Sequence, residues 1–110
     1  MRERRRQREL AATRSPLTDV EFVGLLADSG IEELLATFLW DELKPYYFAP
    51  LSPHPSDRIY GGMKIDPDDI SDIALRYERH FGVWLGEVPI DCVADPTIAE
   101  LGLALQRAGC

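Results

Sequence analysis

Four prolines within eleven positions, Pro45, Pro50, Pro53 and Pro55, constrain this chain more than any other feature. Each fixes its own φ and restricts the residue before it, so no regular helix can run from Pro45 to about Asp57. Helices must lie before and after that stretch. The residues in and after it, Tyr46, Tyr47, Phe48, Leu51, Ile59 and Tyr60, are too apolar for a free linker. They predict a long loop packed across the helices.

Before the prolines, Thr18-Asp19-Val20-Glu21 reads as a capping box, in which the threonine oxygen takes an orphan amide and the glutamate reaches back to the cap's own N–H. Phe22, Leu25, Leu26 and Ala27 follow at helical spacing until Ser29-Gly30 offers a break. Ser29 with Glu32 predicts a second capping box and a helix to about Lys44. Ile31, Leu34, Leu35, Phe38, Leu39 and Leu43 form its broad apolar stripe, predicted to be core. After the prolines, Asp66-Pro67-Asp68-Asp69 combines an N-cap aspartate, proline at the first helical position and two acids at the positive end of the helix dipole. A helix is expected from Pro67, burying Ile70, Ile73, Ala74, Tyr77 and Phe81, with Gly82 placed to stop it in a left-handed cap. Asp95-Pro96 repeats the start signal and leads to Ile98, Leu101 and Leu105 on one face, with an end near Gly109. From Val83 to Val93 there is no clear period, and one short helical turn is expected there. The fold class is all-α, a small helical bundle.

At 110 residues the chain fits one domain. Apolar residues make up 45% and charged residues 28%, values that suit a soluble globule. The net charge of −7 hides an asymmetry: six arginines between Arg2 and Arg14 make residues 1–14 +4 and leave −11 on the rest. With almost nothing apolar to bury, residues 1–15 are expected to be a disordered or frayed basic tail, and residues 16–110 the folded domain. So acidic a body repels nucleic acid phosphates and anionic membranes and favours partners with basic patches. Cys92 and Cys110 make neither a disulfide framework nor a zinc pattern, and no apolar run reaches the roughly 18–20 residues of a membrane helix. A cytoplasmic location is the expectation.

The element order, with Phe81-Gly82 closing the helix that Asp66 opens and Thr97-Ile98 at the start of the last one, resembles an acyl carrier protein. In that family the second main helix opens with Asp-Ser-Leu, runs to a Phe near its end, and the last helix opens at a Thr-Val or similar pair. Counting back from Phe81 places the modified serine at Pro67, which has no hydroxyl. The run Met63 to Ile70 with Phe81-Gly82-Val83 is closer still to short, uncharacterised bacterial acyl-carrier-like proteins that carry Asp-Gly-Asp-Asp in place of Asp-Ser-Leu. The resemblance covers about Ile31 to Gln106. It implies a carrier-shaped bundle with a long loop after the first helical region, and an acidic second main helix that docks partners through Asp66, Asp68, Asp69 and Asp72. No phosphopantetheine is expected.

The same four aspartates also read as helix capping. A calcium loop would need a further oxygen ligand where Ile70 stands and a glycine where Ser71 stands, so no metal is expected. Ser71, inside the helix, is a poor substitute for the carrier serine because it follows Ile70 instead of sitting in Asp-Ser-Leu; its hydroxyl is expected to bond back to a carbonyl. His54 and His80 have no Cys, His or Asp partner at ligand spacing, and no arrangement of serine, cysteine and histidine stands out as a nucleophile with its base. Trp40 and Trp84 are expected in or against the core. No catalytic residue is assigned. The leading expectation is a non-catalytic protein-interaction module. The alternatives are a genuine acyl or peptidyl carrier modified at a non-standard serine, and a nucleic-acid-associated factor using its Arg-rich start.

Overall fold

The computed structural model describes residues 2–84 and 95–108. They form an all-α globule of five helices: α1 Arg2–Ala11, α2 Asp19–Asp28, α3 Glu33–Leu43, α4 Pro67–Phe81 and α5 Ile98–Ala108. A 3-10 turn over Lys44–Tyr46 ends α3 at the first of the prolines.

The Thr18 capping box opens α2, with Thr18 Oγ1 3.2 Å from the Glu21 N–H and the Thr18 N–H 3.0 Å from Glu21 Oε1. The second capping box does not form. Ser29 is the C-cap of α2, and α3 starts at Glu33 from a Glu32 cap that has no side-chain bond of its own. Gln106, on the last turn of α5, does that work instead. Its Oε1 accepts the Glu32 N–H at 2.8 Å and its Nε2 donates to the Gly30 carbonyl at 2.8 Å.

Phe22 and Leu26 of α2 meet Leu35, Ala36, Leu39 and Leu43 of α3 in one buried cluster, with the Phe22 and Trp40 rings 5.2 Å apart. Leu34 is not part of it: it is 72% exposed, on the outer side of α3. The seam with α5 is tight because Gly102 has no side chain; a Cβ there would lie 2.7 Å from Ile31 Cδ1.

The proline loop is packed down as its composition predicts, with Tyr47, Leu51, Ile59, Met63 and Ile65 all buried. Its backbone is used as well. The first amides of α5 have no partner within their own helix, and the loop supplies it: the Ile98 N–H donates to the Asp57 carbonyl at 3.0 Å and the Ala99 N–H to the Pro55 carbonyl at 3.0 Å. In return, the Ile59 N–H donates to the Pro96 carbonyl at 2.9 Å.

The start of α5 corrects the Asp95-Pro96 expectation. Its cap is Thr97, whose Oγ1 accepts the Glu100 N–H at 3.1 Å while Glu100 Oε1 accepts the Thr97 N–H at 2.9 Å. The bond from the Thr97 N–H, first among its interactions, holds the Glu100 carboxyl below its ordinary range. Asp95 instead accepts the Tyr60 and Gly61 amides at 2.9 and 3.1 Å. Gly61 permits this approach, since a Cβ there would stand 2.5 Å from Asp95 Oδ2.

Of residues 1–15, expected as a disordered or frayed tail, the described residues 2–15 are held to the body at Gln7 and Arg14 among other points. Gln7 on α1 is fully buried; its Nε2 donates to the Tyr46 carbonyl at 2.9 Å and its Oε1 accepts the Phe48 N–H at 2.7 Å. Beyond α1, Arg14 is ion-paired to Asp57. The short turn expected between Val83 and Val93 falls on residues 85–94, outside the described residues, as do Cys92, Gly109 and Cys110.

Candidate functional site

The opening of α4 forms as its sequence dictates. Asp66 sits at φ −70°, ψ 140°, just outside the helix, and its Oδ1 accepts the Asp68 N–H at 2.9 Å. Pro67 takes the first helical position, where its missing N–H costs nothing. Fifteen residues later Gly82, at φ 66°, ends the helix in the left-handed region.

The four aspartates share the first turns of α4 without converging. Asp66, Asp68 and Asp72 are exposed, and Asp69 is half-buried. Burial, then the charge of Asp69 and a hydrogen bond with it, raise the Tyr46 hydroxyl above the ordinary tyrosine value, with Arg76 opposing. Arg76 pairs with Glu42 of α3 through a short Nε to Oε1 contact and is also attracted by Asp72. Asp66 is engaged in its cap, so the acidic face is partly used inside the fold. Among the described residues no group of three or more His, Cys, Asp or Glu could hold a metal ion. Ser71 is exposed.

The histidines serve local structure. His54 Nδ1 accepts the Ser56 N–H at 3.1 Å and lies 2.7 Å from Ser56 Oγ. The His80 ring stacks on Phe38 with centroids 5.7 Å apart and meets the edge of Phe81 at 4.8 Å. Trp40 is buried, with Lys44 Nζ 5.7 Å from its ring. Trp84 departs from its expectation and is 82% exposed.

One polar cluster was invisible in the sequence. The Asp57 carboxylate, 7% exposed, accepts Arg14 Nη1 at 2.5 Å and Nη2 at 3.1 Å, the His54 N–H at 3.1 Å and the Tyr47 hydroxyl in a short contact. Arg14 Nη2 also donates to the Ser52 carbonyl at 2.7 Å. Burial opposes the Arg14 charge, yet Asp57 outweighs it and holds the guanidinium above its ordinary pKa. Burial and the neighbouring Asp57 charge push the Tyr47 hydroxyl far above the usual tyrosine range. The Tyr47 phenol is thereby fixed in its neutral form, with its O–H donating to the Asp57 carboxylate. The cluster ties the segment after α1 to the loop.

Two of the surface depressions are lined by described residues. One, about 260 Å³, runs between α2 and α3 and is lined by Asp19, Val20, Val23, Glu33, Trp40 and Asp41 among others; the second, about 410 Å³, lies over Lys44, Pro45, Tyr47 and Leu51. No helix among the described residues is long and apolar enough to cross a membrane. Compared with protein-family models, curated proteins and solved structures, the chain has no match.

Proposed function

We infer that this chain is a non-catalytic protein-interaction module, shaped like an acyl carrier protein and without the serine that would bear phosphopantetheine. The observation that carries the reading is the opening of α4. Asp66 caps the helix and Pro67 fills its first position, so the place of the carrier's hydroxyl is taken by a ring. A transferase needs an oxygen nucleophile at that point, and the adjoining Asp68 and Asp69 offer only carboxylates. The partner is a protein with a basic surface patch, drawn by the body's charge, and the setting is cytoplasmic. Nucleic acid is disfavoured by the same charge, and no cofactor enters the function.

The test is the intact mass after incubation with coenzyme A and a broad-specificity phosphopantetheinyl transferase. The expected result is an unchanged mass. An adduct, with exposed Ser71 as the first residue to examine, would establish a genuine carrier with a displaced site and end the module reading.

A further inference from the structure

The acidic helix α4 is the face that the carrier resemblance selects for docking, but the strongest unpaired charge lies elsewhere. Residues 19–44 hold seven carboxylates, of which Glu42 is paired with Arg76 and Glu21 closes the Thr18 cap, and a single lysine, whereas residues 66–82 hold five carboxylates and two arginines. On α4, Asp66 is engaged as a cap, Asp69 with Tyr46 and Asp72 with Arg76. Along the groove between α2 and α3, Glu33 and Asp41 are exposed and have no ion pair or hydrogen-bonded side-chain partner among the described residues. Between these carboxylates lies an apolar floor: Trp40 at the base, Val23 half-buried, and Val20 76% exposed. Leu34, 72% exposed, stands at helical spacing from Thr37 and Asp41 and adds apolar surface on the α3 side.

We propose that the α2–α3 groove is the docking surface of this module and that its occupant is a basic amphipathic helix of another protein. At about 260 Å³ the groove is below the usual size of small-molecule sites, about 300–1,000 Å³, and suits one or two side chains. The aliphatic stem of an arginine or lysine covers Val20 and Trp40 while its head reaches Asp19, Glu33 or Asp41. This is the helix-in-groove mode, with the apolar residue as anchor and the charges setting register. A second copy of the chain is a poorer occupant because each copy carries −7 and repels the other. Its one basic segment, α1, is already tied down through Gln7. The proposal rests on the interaction-module reading and locates its surface.

The experiment uses the full chain with Trp84→Phe, which leaves Trp40 as the only tryptophan. The probe is a leucine/arginine amphipathic helical peptide of about five turns, with a leucine/glutamate peptide as charge control. Trp40 emission shifts with the first peptide and not with the second. Glu33→Gln with Asp41→Asn weakens binding about tenfold, whereas Asp68→Asn with Asp72→Asn changes it less than about twofold. No Trp40 response, or a loss confined to the α4 pair, overturns the proposal. So does a Trp40 shift that appears with rising protein concentration alone, which assigns the groove to a second copy. A phosphopantetheine adduct in the mass assay strikes the module reading separately, since it does not involve the groove.

Discussion

Replacing Asp57 by alanine removes the acceptor of four hydrogen bonds at once. The Tyr47 hydroxyl and the His54 N–H lose it, and Arg14 is left with the Ser52 carbonyl at 2.7 Å. Breaking a buried ion pair costs about 3–5 kcal/mol. Arg14 is 22% exposed and retains Ser52, so the low end applies, about 3 kcal/mol. Arg14→Met strands the carboxylate but leaves it two donors, a loss of about 2 kcal/mol. Because both changes break the same pair, the double variant loses about 3 kcal/mol instead of the additive sum, a coupling of about 2 kcal/mol. Urea unfolding with a slope near 1.5–2 kcal/mol per molar reads the Asp57→Ala loss as a midpoint lowered by about 1.5–2 M. Against a total stability of about 5–15 kcal/mol the effect is large. A midpoint within the scatter of the parent, or single losses that simply add, would refute the argument that this pair ties the basic segment to the loop.

Tyr47 predicts an alkaline limit. Its hydroxyl keeps the proton in the fold while the unfolded chain releases it above about pH 10, so its stabilisation is complete below that pH and falls by about 1.4 kcal/mol per unit as pH rises further. Tyr47→Phe flattens this decline between about pH 10 and 11.5, and unchanged slopes in urea titrations contradict the assignment. Asp66→Ala loses the cap of α4 and about 0.5–2 kcal/mol. An unaltered urea midpoint for that variant would mean that the cap contributes nothing.

What the sequence disclosed and what it hid follow from the range of the interactions involved. The starts of α2 and α4 depend on residues within one turn of each other, Thr18 with Glu21 and Asp66 with Asp68, and both were readable. The same logic misplaced the starts of α3 and α5. At α3 the Ser29–Glu32 pair was outcompeted by Gln106, a side chain 74 positions away. At α5, Asp95 was drawn off to loop amides 34 and 35 positions back, and the box formed two residues on at Thr97 and Glu100. The docking of α1 uses one buried glutamine beside Leu10 and Ala11, in an arginine-rich segment with no apolar period to announce it. The acids of α4 were found as residues, but the commitment of Asp69 to Tyr46 depends on the turn after α3, and that of Arg76 to Glu42 on α3 itself. The α2–α3 groove escaped because Leu34, counted in the apolar stripe of α3, is turned outward, as is Val20.

The clasp between Gln106 and the α2–α3 turn also sets a timetable. Gly30 and Gln106 are 76 residues apart, so at about 5–20 residues per second a ribosome needs roughly 4–15 s to make the stretch between them. During that interval Ile31 and Leu39, against which Gly102 will pack, have no cover from α5. The Pro55 and Asp57 carbonyls likewise await the amides of Ala99 and Ile98. In the nascent chain the face of α3 that α5 covers therefore stays without that cover until α5, last of the described helices to be made, has been added.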